Sequence, residues 1–343
     1  MHFHTVIVGA GPGGLACARI LAEHGIQPLV LERKKTIGAK VCAGGITWGG
    51  LISRVPRDLA EKSFPVQHII TRLQKVRIEE PAPIIATINR VKLGNYMAKC
   101  AREAGAEIMT GWQVKGIKGQ TLVIKQKESG RQQEITFDYL VGADGSSSLV
   151  RRHLGLTSNR MGVGINYQIS GDLQQMEWHL NSRFFRNGYG WIFPHRDTVS
   201  IGAYIPKSMF PDQRLKNGLI AWAGTLGFSL EKEQARADYI NYDYQGWRFG
   251  RIFLIGDAAG LASGLTGEGI YPAIISGEET ARTILNPEHN TAVMERLIRK
   301  QRQHSRMADW TGFSPAFNII AGEFVTLGLR CGIIRFNKLE MAN

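Results

Sequence analysis

A chain of 343 residues is too long for one mononucleotide-binding half and calls for two or three domains, and its hydrophobic fraction of 43% suits a globular protein with a sizeable core. Lys and Arg number 42 against 29 Asp and Glu, and the net charge of +13 points to anionic company: a phosphorylated ligand, an acidic electron carrier or an anionic membrane face. No segment is long and apolar enough to span a bilayer and no nucleic-acid module is visible. Cys17, Cys42, Cys100 and Cys331 offer neither metal-ligand spacing nor a disulfide framework, so the chain reads as cytoplasmic, with reduced thiols, no metal and no nucleic-acid partner.

The N-terminus reads as a dinucleotide-binding unit. An apolar run over residues 5–8 meets Gly9-Ala10-Gly11-Pro12-Gly13-Gly14, a helix is expected over 15–24, and a strand over 27–31 ends on Glu32. Gly9 permits the tight turn, Gly11 lets backbone approach a pyrophosphate, and Gly14 lets helix and strand pack closely. Gly13 belongs to the same turn, and the free N–H groups of the helix face the negative charge. Glu32 follows the glycines at about the 20-residue spacing of an acid that binds a ribose, and Arg33 beside it is counted with the cofactor site. A glycine-rich turn in an ordinary α/β protein is the alternative.

Further along, Asn89-Arg90 precede a helix ending near Gly105, then come a strand over 107–109 and a hairpin-like stretch over 113–127. Two apolar strands each deliver an aspartate to a sheet edge, at Ala143-Asp144-Gly145 and at Gly256-Asp257-Ala258, the edge where open α/β folds bind ligands. Between them lie short β-like runs over 163–169, 177–185, 190–193 and 198–205, which predict an inserted antiparallel sheet roofing the cofactor. Tyr189, Trp191 and Phe193 alternate along one of these strands and share a face, either lining an apolar channel or filling a core. Helices are expected over 215–226, 278–285 and 291–304. The basic run 296–306 and the apolar stretch 317–334, interrupted by Glu323 and Arg330, suit a peripheral position on the cytosolic face of an anionic membrane without spanning it.

Together, Gly9 to Gly14 with Glu32, Asp144-Gly145, and Gly256-Asp257 followed by Gly267-Glu268-Gly269-Ile270 resemble the glutathione-reductase-like FAD proteins of the aromatic-hydroxylase type. Within that group, Lys40-Val41-Cys42-Ala43-Gly44-Gly45, Gly188-Tyr189-Gly190-Trp191-Ile192-Phe193-Pro194 and Ser263 to Tyr271 resemble the geranylgeranyl reductase family, over about residues 4–285. The resemblance implies an α/β fold: a glutathione-reductase-like, Rossmann-type FAD-binding domain over 1–160 and 247–290, an inserted antiparallel β-sheet substrate-binding domain over 161–246, and a helical C-terminal segment over 291–343.

It also implies FAD as cofactor. Asp257 would bind the ribityl chain, Arg90 would contact FAD ahead of its helix, a backbone group of Val114 would meet the adenine, and Asp144 would sit at the cofactor edge of the sheet. The helix beginning at Gly267, Gly269 and Ile270 would aim its N–H groups at the flavin pyrimidine, where a helix N-terminus favours the anion of a reduced flavin by ~0.3–1 kcal/mol, and up to ~2 when partly buried. The loop Cys42-Ala43-Gly44-Gly45 would run beside the isoalloxazine. Cys42 would there touch flavin or substrate or donate a proton, with Lys40 lowering its pKa if it lies close; a small buried hydrophobe is the alternative. Tyr189, Trp191 and Phe193 would lie over the flavin, and His195, where relatives often carry a basic residue after Phe-Pro, is a fourth substrate contact or a solvent-exposed turn residue.

Three functional classes follow. In the first, FAD delivers hydride to isolated C=C bonds of an isoprenoid, such as a geranylgeranyl-type lipid, a prenyl-quinone or a pigment side chain, and an acid protonates the distal carbon. A second glycine fingerprint is absent, so FAD would be reduced by transient NAD(P)H or by an acidic ferredoxin or flavodoxin. The second class is an FAD-dependent aromatic or quinone monooxygenase, although those enzymes commonly continue Gly-Asp-Ala-Ala with His and a nearby Pro, where this chain has Gly260 and Ser263-Gly264. The third is a noncatalytic electron-transfer flavoprotein, whose quinone-linked relatives carry a cysteine cluster that four dispersed cysteines do not form.

Overall fold

The computed structural model describes residues 1–343 apart from 53, 208–211, 313 and 343. Among the described residues the strands form three sheets. The first has eight strands, with the order Arg248–Phe249, Ile252–Leu254, Gln132–Gly142, His2–Val8, Leu29–Glu32, Glu107–Thr110 along its main path. From Ile252–Leu254 to Glu107–Thr110 every pairing is parallel. Such strands are buried on both faces and read as continuous apolar runs, as Val6, Ile7 and Val8 do. The Trp112–Lys118 and Thr121–Gln126 hairpin pairs antiparallel onto this sheet.

On this sheet two helices meet almost backbone to backbone. In Pro12–Glu23, a Cβ on Gly13 would stand 2.6 Å from the Ala273 carbonyl oxygen, and in Ile270–Leu285 a Cβ on Gly277 would stand 2.2 Å from that of Gly13. The close crossing brings the start of each helix to the same sheet edge. The expected helix over 278–285 is thus the last part of a longer one starting at Ile270.

The second sheet has the order Arg236–Asn241, Met161–Ser170, Thr198–Lys207, Tyr189–Pro194, Glu177–His179, Val66–Ile70, Lys75–Glu79. It is antiparallel except where Glu177–His179 meets Val66–Ile70. Two strands therefore come from residues 66–79, which the division at 160/161 leaves with the nucleotide unit. The run 177–185 is also not one strand. Asn181 accepts a hydrogen bond from Arg183 N at 3.2 Å and starts the short helix Ser182–Phe185, which ends at Arg186 with φ of 52°.

Alternation splits the middle of this sheet between two faces. Ile192 and Ile201 pack under the helix Asp212–Thr225, whose Leu215, Leu219, Trp222 and Ala223 recur at helical spacing, while Trp191 and Phe193 face the other way in a cluster with Trp178 and Tyr204. A three-stranded sheet of Gly45–Thr47, Ile85–Ile88 and Ala60–Phe64 lies beside that second face. The helices Ala292–Thr311 and Pro315–Arg330 and the turn of helix Phe336–Leu339 complete the chain.

Candidate functional site

One cavity of about 1020 Å³ runs from the start of the Pro12–Glu23 helix to the aromatic face of the second sheet. At its first end the glycines divide the work. Gly9 has φ of 110° and a Cβ there would stand 2.3 Å from the Ala143 carbonyl oxygen, while a Cβ on Gly14 would stand 2.1 Å from the Gly9 carbonyl oxygen. Both are demanded by the protein itself. Gly11 is not, because a Cβ there would meet only the Ala143 carbonyl oxygen, at 4.0 Å, yet Gly11 lines the cavity. Its missing side chain leaves room for a ligand rather than for packing. The helix begins at Gly11 without a side-chain cap, so its first N–H groups remain available.

Arg90 lines the same cavity. Its backbone is pinned by the Asn89 cap, whose Oδ1 accepts from Val91 N at 2.9 Å and Lys92 N at 3.1 Å. Its Nε and Nη1 are buried with no hydrogen-bond partner among the described residues. Buried guanidinium donors without an acceptor are costly. A pyrophosphate at the helix N-terminus would satisfy them, so Gly11, the helix start and Arg90 fit the diphosphate of FAD.

Next along the cavity, Lys40 Nζ donates to Asp257 Oδ2 at 2.6 Å and Ser146 Oγ donates to the same oxygen at 3.0 Å. Burial pulls the Lys40 pKa down, but the Asp257 and Asp238 carboxylates outweigh it and leave the pKa raised. The Lys40 ammonium thus pairs with Asp257. Asp257 lines the cavity.

The expected adenine end is not part of this cavity. Glu32 holds the turn itself, accepting from Ala10 N at 2.9 Å and Lys34 N at 2.8 Å. Arg33 is exposed, and Val114 packs in the hydrophobic core beneath the hairpin. Asp144 Oδ2 accepts from Leu149 N at 2.6 Å and Val150 N at 3.3 Å and so starts the helix Leu149–His153, while Oδ1 is buried without a partner. Burial raises the Asp144 pKa.

The loop Cys42-Ala43-Gly44-Gly45 lies at the middle of the cavity. Gly44 N donates to Cys42 Sγ at 3.3 Å, and a Cβ on Gly44, at φ of 83°, would stand 2.4 Å from His195 Cε1. His195 is 6% exposed and lies outside the cavity lining, with Nδ1 2.7 Å from Glu61 Oε2 and Nε2 3.0 Å from the Ala43 carbonyl oxygen. It clamps the loop and does not face a substrate, because both ring nitrogens are turned to protein acceptors. A chain of side chains holds the same loop from the opposite sheet. Trp191 Nε1 donates to Ser200 Oγ at 2.9 Å, Ser200 donates to Asn166 Oδ1 at 2.6 Å, and Asn166 Nδ2 donates to the Cys42 carbonyl at 3.4 Å.

At the far end Tyr189, Trp191 and Phe193 share one face as their spacing predicts, and all three line the cavity. Trp178, paired with Trp191 on the neighbouring strand, extends the same wall, with ring centroids 4.8 Å from Phe193 and 5.2 Å from Tyr189. Tyr189 donates its hydroxyl to the Thr266 carbonyl at 2.5 Å, and burial raises its pKa, so it stays a neutral phenol. Ile319, Val325 and Leu329, on the C-terminal helix, close this chamber.

Glu268 is a cavity residue not singled out from the sequence, although it stands inside a quoted motif. It lines the cavity, accepts from Met341 N at 2.9 Å and from Thr47 Oγ1 at 3.4 Å, and burial pushes its pKa up to about 7. The signal was a carboxylate amid glycines and apolar residues with no basic neighbour in the motif. The segment is held from behind by His304, whose Nδ1 is 2.8 Å from Ser263 Oγ and whose pKa burial lowers to about 4. After Gly269 the helix starts at Ile270 with no side-chain cap, leaving N–H groups at the cavity.

The comparisons agree with this geometry. The FAD binding domain family matches residues 2–308. A geranylgeranyl diphosphate reductase of Rhodobacter capsulatus is 27% identical over 310 residues, covering 83% of this chain and 75% of that protein. A digeranylgeranylglycerophospholipid reductase of Methanothermobacter thermautotrophicus is 27% identical over 314 residues, covering 83% of this chain and 79% of that one. The crystal structure of a geranylgeranyl bacteriochlorophyll reductase-like protein from Thermoplasma acidophilum superposes with a TM-score of 0.76 at 22% identity, over 96% of this chain and 90% of that one, and shares its fold. With an uncapped helix start, a glycine that leaves ligand space and an unsatisfied buried arginine at one end of its cavity, the chain belongs to the FAD binding domain family and is an FAD-dependent oxidoreductase with geranylgeranyl reductase homologues.

Proposed function

We propose that this protein saturates C=C bonds of an isoprenoid chain, as in a prenyl lipid, prenyl-quinone or pigment side chain. The observation that carries the reading is the continuity of the cavity, which joins a diphosphate-binding end to a chamber walled by Tyr189, Trp191, Phe193 and Trp178. Bound FAD supplies hydride chemistry. Gly11, the Pro12–Glu23 helix start and Arg90 would hold its diphosphate, Asp257 would take the ribityl hydroxyls, and the N–H groups at the Ile270–Leu285 helix start would serve the pyrimidine. The aromatic wall excludes water and holds a prenyl chain by area, at about 25 cal/mol for each Å² of apolar surface buried.

An unactivated alkene accepts hydride only when a proton is delivered to its other carbon. In this reading the Cys42 thiol meets the alkene and Glu268, with its pKa near 7, keeps a proton available inside the cavity. Tyr189 is the poorer donor, since its proton is held by the Thr266 carbonyl. The two electrons would come as a hydride from NAD(P)H or as two successive one-electron transfers from an acidic ferredoxin or flavodoxin, the latter drawn by the net charge of +13. The test is the product of an anaerobic reaction between the reduced protein and a prenylated substrate. Gain of the mass of two hydrogens supports the reading; a product formed only in air, heavier by one oxygen atom, assigns the protein to the monooxygenases instead.

A further inference from the structure

We propose that the outer face of the Pro315–Arg330 helix, with the adjoining turn at Leu73, docks this protein on an anionic phospholipid bilayer. The helix is apolar on two sides. Its inner side, including Ile319, Val325 and Leu329, lines the cavity, whereas Phe317, Ile320, Phe324 and Leu327 turn outward and are 43%, 54%, 68% and 44% exposed. The outward residues recur at three- and four-residue intervals, so they form one stripe. Leu73 at 76% and Ile333 at 83% exposure add to the same region. The Glu323 carboxylate accepts from Leu73 N at 3.2 Å, Thr71 Oγ1 at 2.8 Å and Gln74 Nε2 at 2.8 Å, so turn and helix form one unit, and the acid of this helix is bonded to that turn.

Contiguous exposed apolar side chains of this size mark an interaction surface, and the charges around them select its occupant. Arg72, Arg330 and Arg335 are exposed next to the stripe in sequence. A contact between two copies of this chain would bring such like charges together, and the net charge of +13 opposes it further. Anionic head groups would pair with them while the stripe enters the acyl boundary. No helix among the described residues is long and apolar enough to cross a membrane, and a one-sided outer stripe flanked by arginines is the pattern of a helix lying in the interface plane. The docking rests on this surface and not on the reaction proposed above.

The test is flotation of the FAD-loaded full chain with vesicles of phosphatidylcholine alone and of phosphatidylcholine mixed with phosphatidylglycerol. The protein should float with the mixed vesicles, and binding should fall about tenfold on phosphatidylcholine alone. It should also fall about tenfold in the double variant Ile320→Ser, Phe324→Ser, with FAD content and circular dichroism unchanged, since neither side chain lines the cavity. The double variant Arg330→Gln, Arg335→Gln should lose the preference for mixed vesicles. Absence of flotation with either vesicle, or equal flotation of wild type and the Ser double variant, would overturn the proposal. So would a wild-type dimer in sedimentation that the Ser variant converts to monomer while neither floats.

Discussion

The two ends of the cavity recognise their ligands by different physics. At the Pro12–Glu23 end the work is done by backbone and fixed charge: an uncapped helix start, a glycine with open space beside it, the Arg90 donors and the Lys40–Asp257 pair. At the other end it is done by area, on rings and aliphatic chains from separate segments, with almost every polar group already bonded within the protein, as Tyr189 is to Thr266 and Trp191 to Ser200. The first arrangement admits one charge pattern in one register. The second would admit any apolar chain that fits, so in the proposed reading substrate identity is less tightly written into the walls than cofactor identity.

The charged end gives the largest expected effect. Arg90→Met should weaken FAD binding about 10²-fold or more, since two charge-assisted hydrogen bonds at ~1.5–3 kcal/mol each are lost, while the FAD-free protein keeps or gains stability because two unpaired buried donors disappear. Isothermal titration and thermal melts of the apoprotein read both, and unchanged affinity would remove Arg90 from the diphosphate site.

At the junction of the two ends, Cys42→Ser should retain FAD and slow the alkene step ~10²-fold, the range of a lost general acid, with much less change in flavin reduction by the donor. Stopped-flow measurement of both half-reactions separates the effects, and an unimpaired alkene step would leave Cys42 a packing residue.

In the chamber, Trp191→Leu should raise the substrate KM by about tenfold through lost apolar area and leave FAD affinity within about twofold. Equal losses on both ligands would mean that the two ends do not work separately.

The effect expected of Glu268→Gln is one of pH. Folding raises this carboxyl from 4.5 to about 7, so the folded state binds its proton more tightly. The associated stability is fully present below pH 4.5 and is lost as pH rises to about 7. Wild-type apoprotein should therefore lose melting temperature across that window relative to the Gln variant, and the wild-type alkene step should slow above it. Parallel melting profiles of the two proteins would mean that Glu268 is an ordinary carboxylate.

The same contrast explains what the sequence made legible. The glycine turn of the charged end is local: Gly9, Gly11, Gly14 and the helix they open lie within a few residues, Gly9 and Gly14 answer backbone demands and Gly11 leaves open space, all of which a motif can display. The chamber is not local. Trp178 reaches Tyr189 and Phe193 through strand pairing, residues 66–79 join a sheet far along the chain, and Leu329 arrives from the C-terminal helix. Short-range periodicity predicts the shared face of Tyr189, Trp191 and Phe193 but not which strands lie beside it. His195 failed as a substrate contact for a related reason, since its direction is set by Glu61 and the Ala43 carbonyl, both distant in sequence. Glu268 was passed over because its raised pKa is a product of tertiary burial.

The central claim is that the charged end and the apolar chamber serve one reaction, and anaerobic stopped-flow tests it most directly. Protein carrying reduced flavin is mixed with a prenylated substrate in the absence of oxygen and the flavin spectrum is followed. The account predicts that the flavin reoxidises in proportion to the C=C bonds consumed. A flavin that stays reduced until oxygen is admitted would contradict it.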